Sequence, residues 1–378
     1  MSSGTPTESM KSEARAETVL IFQIGSLGDT VISMPCYREI ARRHPHAKRL
    51  LLTNFSKGSK MVQAEALLKP GGLIEGSVEY PMPLRGLGNI LKLFRTLRKL
   101  NVDRLYYLSP ETRIINLIRH WLFFKLCGVR QLKAMPWSHD RMHSRELVPG
   151  KLWETEGSRL LRNLDHSRPA GPPNPADRSL DFTDEELQSA DVILSEMPSG
   201  QAYVAFSIGG RIPVKDWGDE NWSSVLHMLS KAQPELGLVM VGSLDERERN
   251  DQLASHWFGP TLNACGRLSP RETAAVIERA AVFLGHDTGT MHLAAAVDTR
   301  VVAVFCARNK PGIWYSDRPE DHFFYHQPPC FDCEISEPSE CKHGLVCMTE
   351  HSRTAVVDVT TSMLTRTLAV PAYRHNRQ

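Results

Sequence analysis

Short apolar runs alternate along the chain with stretches of helical spacing. After a polar lead of about 17 residues, TVLIFQIG (18–25) is apolar on both faces and ends in glycine, the pattern of a strand buried inside a parallel sheet. Helical spacing follows over 29–44, with Pro35 bending its first turns. KRLLLTN (48–54) reads as the next strand, so the chain opens as a β–α–β unit. DRLYYLS (103–109) is a further strand, and 113–128 (RIINLIRHWLFFKLCG) a strongly apolar helix. Such alternation predicts an α/β fold with a parallel sheet.

The pattern breaks at 166–179 (HSRPAGPPNPADRS), dense in proline and polar residues, which reads as a linker. Beyond it, 184–197 is a helix with acidic residues in its first turn, and QAYVAFSIGG, LGLVMVGS, AAVFLGHD and RVVAVFCAR are four apolar runs followed by polar loops. Helical patterns sit between them, which predicts a second doubly wound unit. A chain of 378 residues exceeds one compact domain. The expected division is an N-terminal domain over 1–180, a C-terminal domain over 181–355, and a last helix over 356–378 that packs back towards the N-terminal domain.

Composition adds little until it is split at the linker. Apolar residues make up 41% and charged residues 23%, which argues against disorder, and the net charge of +2 argues against a general nucleic-acid binder. Residues 1–180, however, carry 28 Lys and Arg against 16 Asp and Glu, while 181–378 carry 17 against 27. The N-terminal lead lacks the apolar core of a signal peptide, and no apolar run approaches the roughly 18 residues of a membrane span. A cytoplasmic protein is expected, with Cys36, Cys127, Cys265 and Cys306 as reduced, mostly buried thiols.

Three motifs carry candidate chemistry. In Gly25-Ser26-Leu27-Gly28-Asp29 the glycines permit a sharp turn and close approach to a ligand. Asp29 falls at the carboxyl end of a parallel strand, where open α/β sheets bind their ligands; a helix-capping role is the alternative. In Gly285-His286-Asp287-Thr288-Gly289-Thr290-Met291-His292, the N–H groups of 288–290 suit a phosphate, and His292 lies one turn into the helix facing the same crevice. In Ser207-Ile208-Gly209-Gly210-Arg211-Ile212-Pro213-Val214-Lys215-Asp216-Trp217, a strand end, two glycines and a cation make a diphosphate site, unless Lys215 merely pairs with Asp216. All three stand at carboxyl ends of strands from the two units, where an interdomain cleft holds a substrate.

GSLGDTVISMP and HDTGTMHLAAA, with VKDWGDENW and VMVGSLDERE as context, resemble glycosyltransferase family 9, the lipopolysaccharide heptosyltransferase family, over about 18–60 and 200–370. The resemblance implies a GT-B fold, two Rossmann-like domains facing across a cleft, and inverting transfer that requires no metal or other cofactor. It implies a nucleotide-sugar donor, ADP-heptose by default, and a lipopolysaccharide core or related cell-surface glycan as acceptor, in a bacterial cell. Asp29 would be the general base, and Lys215 would stabilise the leaving diphosphate. Ser207, Asp287, Thr288, Gly289 and His292 would hold the donor sugar and phosphates, and Glu246 the nucleoside side. The chain departs from the family at Gln23, often basic there, at His286 in place of Asn and at Thr290 in place of Pro. These departures bear on the identity of sugar and nucleotide.

Residues 81–150 carry 13 Lys and Arg against four Asp and Glu, a surface suited to an acidic or phosphorylated glycolipid at the inner face of the membrane. Gly28, Arg113, Arg141 and Arg145 are the candidate acceptor-binding residues. The apolar helix 113–128 reads as a core helix packed on the sheet, with peripheral contact at the bilayer interface as the alternative. Cys330, Cys333, Cys341 and Cys347 read as a structural zinc knot, as reduced thiols or as disulfides. Two other classes stay open. A nucleotide-sugar epimerase of similar architecture needs acid and base groups on both faces of the donor and no acceptor site. A non-catalytic sugar-nucleotide module needs neither Asp29 nor Lys215.

Overall fold

In the computed structural model, residues 15–54, 64–81, 86–110 and 113–370 are described. Most of the polar lead, the end of the chain beyond 370, and 55–60 of the family-like segment lie outside them. The first sheet holds β1 (Thr18–Phe22), β2 (Lys48–Thr53), β3 (Gly76–Glu79), β4 (Arg104–Tyr107) and β5 (Gln131–Lys133) in the order β3-β2-β1-β4-β5, all parallel. β1 is buried throughout, as a run apolar on both faces requires when helices cover both sides. Between β1 and β2 there are two helices rather than one bent helix. α1 (Leu27–Ile32) ends at Ser33, and α2 (Met34–Arg43) carries Pro35 in its first turn, where a missing N–H costs nothing. α3 (Ala64–Leu68) precedes β3, α4 (Leu87–Leu100) leads from β3 to β4, and α5 (Ile114–Leu126) from β4 to β5. A short helix α6 (His139–Met142) and the hairpin β6 (Glu146–Val148) and β7 (Leu152–Trp153) lead into α7 (Glu156–Leu164).

The second unit starts with α8 (Asp184–Leu194), whose Thr183 and Glu186 form a reciprocal cap. Its sheet has the order β10-β9-β8-β11-β12-β13, again all parallel: β8 (Tyr203–Ser207), β9 (Gly237–Met240), β10 (Thr261–Asn263), β11 (Val282–His286), β12 (Val301–Phe305) and β13 (His322–Tyr325). Helices α9 (Asp219–Ala232), α10 (Arg247–Ala254), α11 (Pro270–Glu278) and α12 (Gly289–Ala296) alternate with these strands, and α13 (Val346–Thr349) and α14 (Arg353–Leu368) close the chain. In both sheets the chain reverses direction of winding beside the first strand, at β1 and β8, which opens a crevice at the carboxyl ends.

The last helix corrects an expectation. α14 packs on α9 and on β11 and β12 of its own unit, not back on the N-terminal one. Val356, Val357, Met363 and Leu364 are buried with Trp222, Leu226 and Val302. These apolar side chains complete the face of the second sheet that α9 leaves partly uncovered. The two units meet instead through α1 against α12, α3 against α11, and backbone bonds from Trp153 N–H to the Pro311 carbonyl (2.9 Å) and from Glu156 N–H to the Ile313 carbonyl (2.9 Å).

Candidate active site

The two glycine motifs meet. A methyl group on Gly28 would lie 2.8 Å from Cδ2 of His292, and one on Gly289 would lie 3.0 Å from the Leu27 side chain. A larger residue at either position would force its neighbour to shift, so the starts of α1 and α12 touch directly, one from each unit. Asp29 sits in the first turn of α1. Its Oδ2 accepts the Ser26 N–H at 2.6 Å and the Ser26 hydroxyl at 2.7 Å. The capping role is therefore real, and it fixes the carboxylate through one oxygen while Oδ1 takes no part in those bonds. Loss of surrounding water pushes the Asp29 carboxyl above its usual range despite the Ser26 bonds, with the Glu156 charge adding to the rise.

Across the contact, the Lys215 ammonium donates to Asp287 Oδ2 at 2.5 Å, with both side chains largely buried. Lys215 pairs with Asp287 rather than with its neighbour Asp216, which is held by Arg249. His292 Nε2 stands 3.9 Å from Asp287 Oδ1, so the imidazole lies between Gly28 and the ion pair. Burial holds His292 down to about 4, which keeps it neutral at pH 7. A hydroxyl chain runs from Thr288 Oγ1 to Thr290 Oγ1 (2.7 Å) and on to Ser207 Oγ (2.9 Å). Thr290, where the family has proline, thus ties the α12 start to the end of β8. The Glu246 carboxylate accepts the Ser243 N–H at 3.1 Å and fills the space beside Gly209 and Gly242.

His286 does work that its sequence position does not reveal. Its Nε2 accepts the Trp217 N–H at 3.0 Å and the Trp222 indole N–H at 2.9 Å, and its Nδ1 donates to the Ile208 carbonyl at 3.0 Å. Two donors converge on Nε2, so the proton is on Nδ1 and the ring is neutral; burial lowers it to about 4. The ring therefore clamps both ends of the 208–217 loop to β11, and that loop carries Lys215. A second network escaped the sequence reading. Buried Glu156 pairs with Arg159 (2.5 Å) and buried Glu154 with Arg162 (2.7 Å) on α7. Only Glu156–Arg159 has an i,i+3 signal in ETEGSRLLR, which marks an ion pair but not its burial, while Glu154 and Arg162 stand eight residues apart.

The candidate acceptor arginines come from the start of α5 and from α6 and the loop that follows it. Arg113 is exposed at the start of α5, and Arg141 in α6 has Nη1 buried without a hydrogen-bond partner. Arg145 makes two bonds to Asp140, at 2.7 and 2.9 Å, so its fork is already engaged. Cys330, Cys333, Cys341 and Cys347 do line one small cavity together with Cys306. Among the described residues, however, no three His, Cys, Asp or Glu side chains form a metal-ligand group, and all eight cysteines are free thiols. The Cys347 thiol bonds with that of Cys306, and the Cys341 sulfur accepts the Leu345 N–H at 3.4 Å.

Two parallel-sheet units joined at their strand ends, with a carboxylate on one wall and a cation on the other, define a GT-B protein. The model of glycosyltransferase family 9 (heptosyltransferase) matches residues 162–319. The chain is 24% identical over 230 residues to lipopolysaccharide heptosyltransferase 3 of Escherichia coli strain K12; it spans 63% of the length of that relative, and the match covers 58% of this chain. The glycosyl transferase family 9 structure from Veillonella parvula superposes with a TM-score of 0.67 at 13% identity, covering 94% of this chain and 99% of the other. The E. coli ADP-heptose lps heptosyltransferase II superposes at 0.64 and 16% identity, covering 93% and 100%. Over residues 162–319 the chain is similar to glycosyltransferase family 9, and its fold is that of the solved members of that family.

Proposed function

We propose that the protein is an inverting glycosyltransferase that moves a sugar, heptose from ADP-heptose, onto a hydroxyl of a lipopolysaccharide core or related cell-surface glycan. One observation carries this reading: α1, which holds Asp29, meets α12 where the Lys215–Asp287 pair lies, with the His292 ring against Gly28. Displacement at an anomeric carbon needs a base on the acceptor side and charge stabilisation on the leaving side. Asp29, its carboxyl raised by burial, takes the acceptor proton as the hydroxyl oxygen attacks the anomeric carbon. The bond to the diphosphate breaks on the opposite face, which inverts the configuration. Lys215 and the N–H groups at the start of α12 receive the developing negative charge. A divalent ion is unnecessary in this scheme because Lys215 supplies the cation.

The donor phosphates fall to Ser207, Thr288 and Gly289, the sugar to Asp287 and His292, and the nucleoside side to Glu246. Gly28 lets the acceptor approach Asp29, and Arg113 and Arg141 offer cations to an acidic or phosphorylated acceptor. Arg145 would exchange Asp140 for the ligand. Among the described residues no helix is long and apolar enough to cross a membrane, and the acceptor is met by peripheral contact at the cytoplasmic face. An epimerase reading is less well supported, because the base belongs to the other unit from the donor residues. Incubation with ADP-heptose, with and without acceptor and in the presence of a chelator, tests the proposal. Sugar transfer that requires acceptor and survives chelation is expected. Isomerisation of the donor alone overturns the transferase reading, and loss of transfer on chelation overturns the metal-independent scheme.

A further inference from the structure

α5 has two apolar faces. One carries Leu117 and Phe124 into the core beneath the first sheet, beside Phe22 and Tyr107. The other faces water: Ile115 is 66% exposed, Leu122 51% and Leu126 60%, with Ile114, Ile118 and Trp121 also open. At 100° per residue these six side chains fall on one continuous stripe of the helix. Of fifteen exposed large apolar side chains among the described residues, eleven lie between Leu87 and Val148, so the exposure is concentrated rather than scattered. Lys125 stands within the stripe and Arg119 at its edge, while Lys92 and Arg95 are exposed on α4, which covers the same face of the sheet. Residues 86–133 hold ten Lys and Arg against two Asp and Glu.

The sheet is parallel, so α4 and α5 both begin at the end where Asp29 stands. Leu87, Leu91, Ile114 and Ile115, in or near the first turns of those helices, therefore belong to the cleft end of the unit. We infer that the outer face of α5, with the start of α4, is a docking surface for an anionic lipid bilayer. Its apolar stripe enters the headgroup boundary, and its cations meet the lipid phosphates. A second copy of the chain fits less well. A two-fold contact through this stripe would bring Arg119 and Lys125 of one copy towards those of the other and bury like charges together. The inference rests on the transferase reading only for the reason a lipid-borne acceptor is met there.

Flotation of the full chain with vesicles of phosphatidylglycerol and phosphatidylethanolamine, against phosphatidylcholine alone, tests it. Wild type should float with the anionic vesicles, less so as salt rises. Ile118→Ser with Leu122→Ser should weaken that binding at least about tenfold, and Arg119→Gln with Lys125→Gln should remove the preference for anionic lipid. An unchanged thermal shift with ADP-heptose shows that each variant is folded. The inference fails if wild type does not bind anionic vesicles, or if the serine variant binds as well as wild type. It also fails if those serines abolish a dimer in vesicle-free solution without altering vesicle binding. Vesicle binding is read without turnover, so a bound protein that transfers no sugar sinks the transferase reading and leaves the surface standing.

Discussion

Gly28 and His292 meet face to face, so closely that a methyl group on the glycine would stand 2.8 Å from the imidazole Cδ2. His292 is buried and lies beside Asp287, so the ring has little room to retreat. Gly28→Ala should therefore cost about 1–3 kcal/mol of stability, the usual range for overpacking. It should also weaken the thermal shift produced by ADP-heptose. His292→Ala in the same chain should recover part of the loss in stability. Urea unfolding of the four members of this cycle measures the coupling, and strictly additive effects would mean that the contact carries no energy.

Asp29 is the residue on which the reaction is proposed to turn. Asp29→Asn keeps an oxygen to accept the Ser26 bonds, so α1 should remain capped and donor binding nearly intact. Transfer should fall about a hundred- to ten-thousand-fold, the usual contribution of a general base. Single-turnover kinetics beside a donor-binding measurement separates the two effects. Residual turnover near the wild-type rate removes Asp29 from the mechanism.

Lys215 and Asp287 should show the asymmetry of a buried pair. Lys215→Gln leaves the Asp287 carboxylate without its cation in a largely buried site and should destabilise the donor-free protein by about 3 kcal/mol. Adding Asp287→Asn should restore much of that stability while leaving transfer abolished. Denaturant midpoints read the first effect and sugar transfer the second.

His286 and His292 make a signed prediction about acid. Both are held near 4 in the folded protein against an ordinary value of 6.5. Between those values the unfolded chain binds the extra proton and the folded one does not, so their contribution to stability falls as pH drops from 6.5 towards 4. The raised carboxyls of Asp29 and Asp321 act in the opposite direction, so the total slope is not diagnostic. The difference is. Wild type should lose stability relative to His292→Gln by up to about 1.4 kcal/mol per pH unit in this window. Midpoints measured at pH 7 and pH 5 should diverge, and parallel curves would place His292 in contact with water.

Much of the architecture was legible because each strand and helix encodes its own burial. The runs at 18–25 and 201–210 could only be central strands of parallel sheets, and the glycine, aspartate and histidine motifs fell at strand ends by their position in the pattern. Where the reading failed, local pattern and environment had separated. α5 lacks a polar face, which reads as burial on both sides, yet the sheet covers only one of them. α14 has weak apolar periodicity, and nothing in it names the sheet it completes. The four late cysteines have suggestive spacing, but thiol direction follows from the loop they sit on and from Cys306, which lies elsewhere in the chain.

The sequence by itself determined two α/β units, their opposite charges and the residue types available at each strand end. These are properties of short segments, set by side-chain periodicity, backbone freedom and composition. Only the tertiary structure decided that Gly28 touches His292, that Lys215 chooses Asp287 over Asp216, and that His286 holds the loop between Ile208 and Trp217. Each of those contacts joins positions far apart in the chain. Their partners are chosen by the packing of one element on another, and no local pattern records that choice.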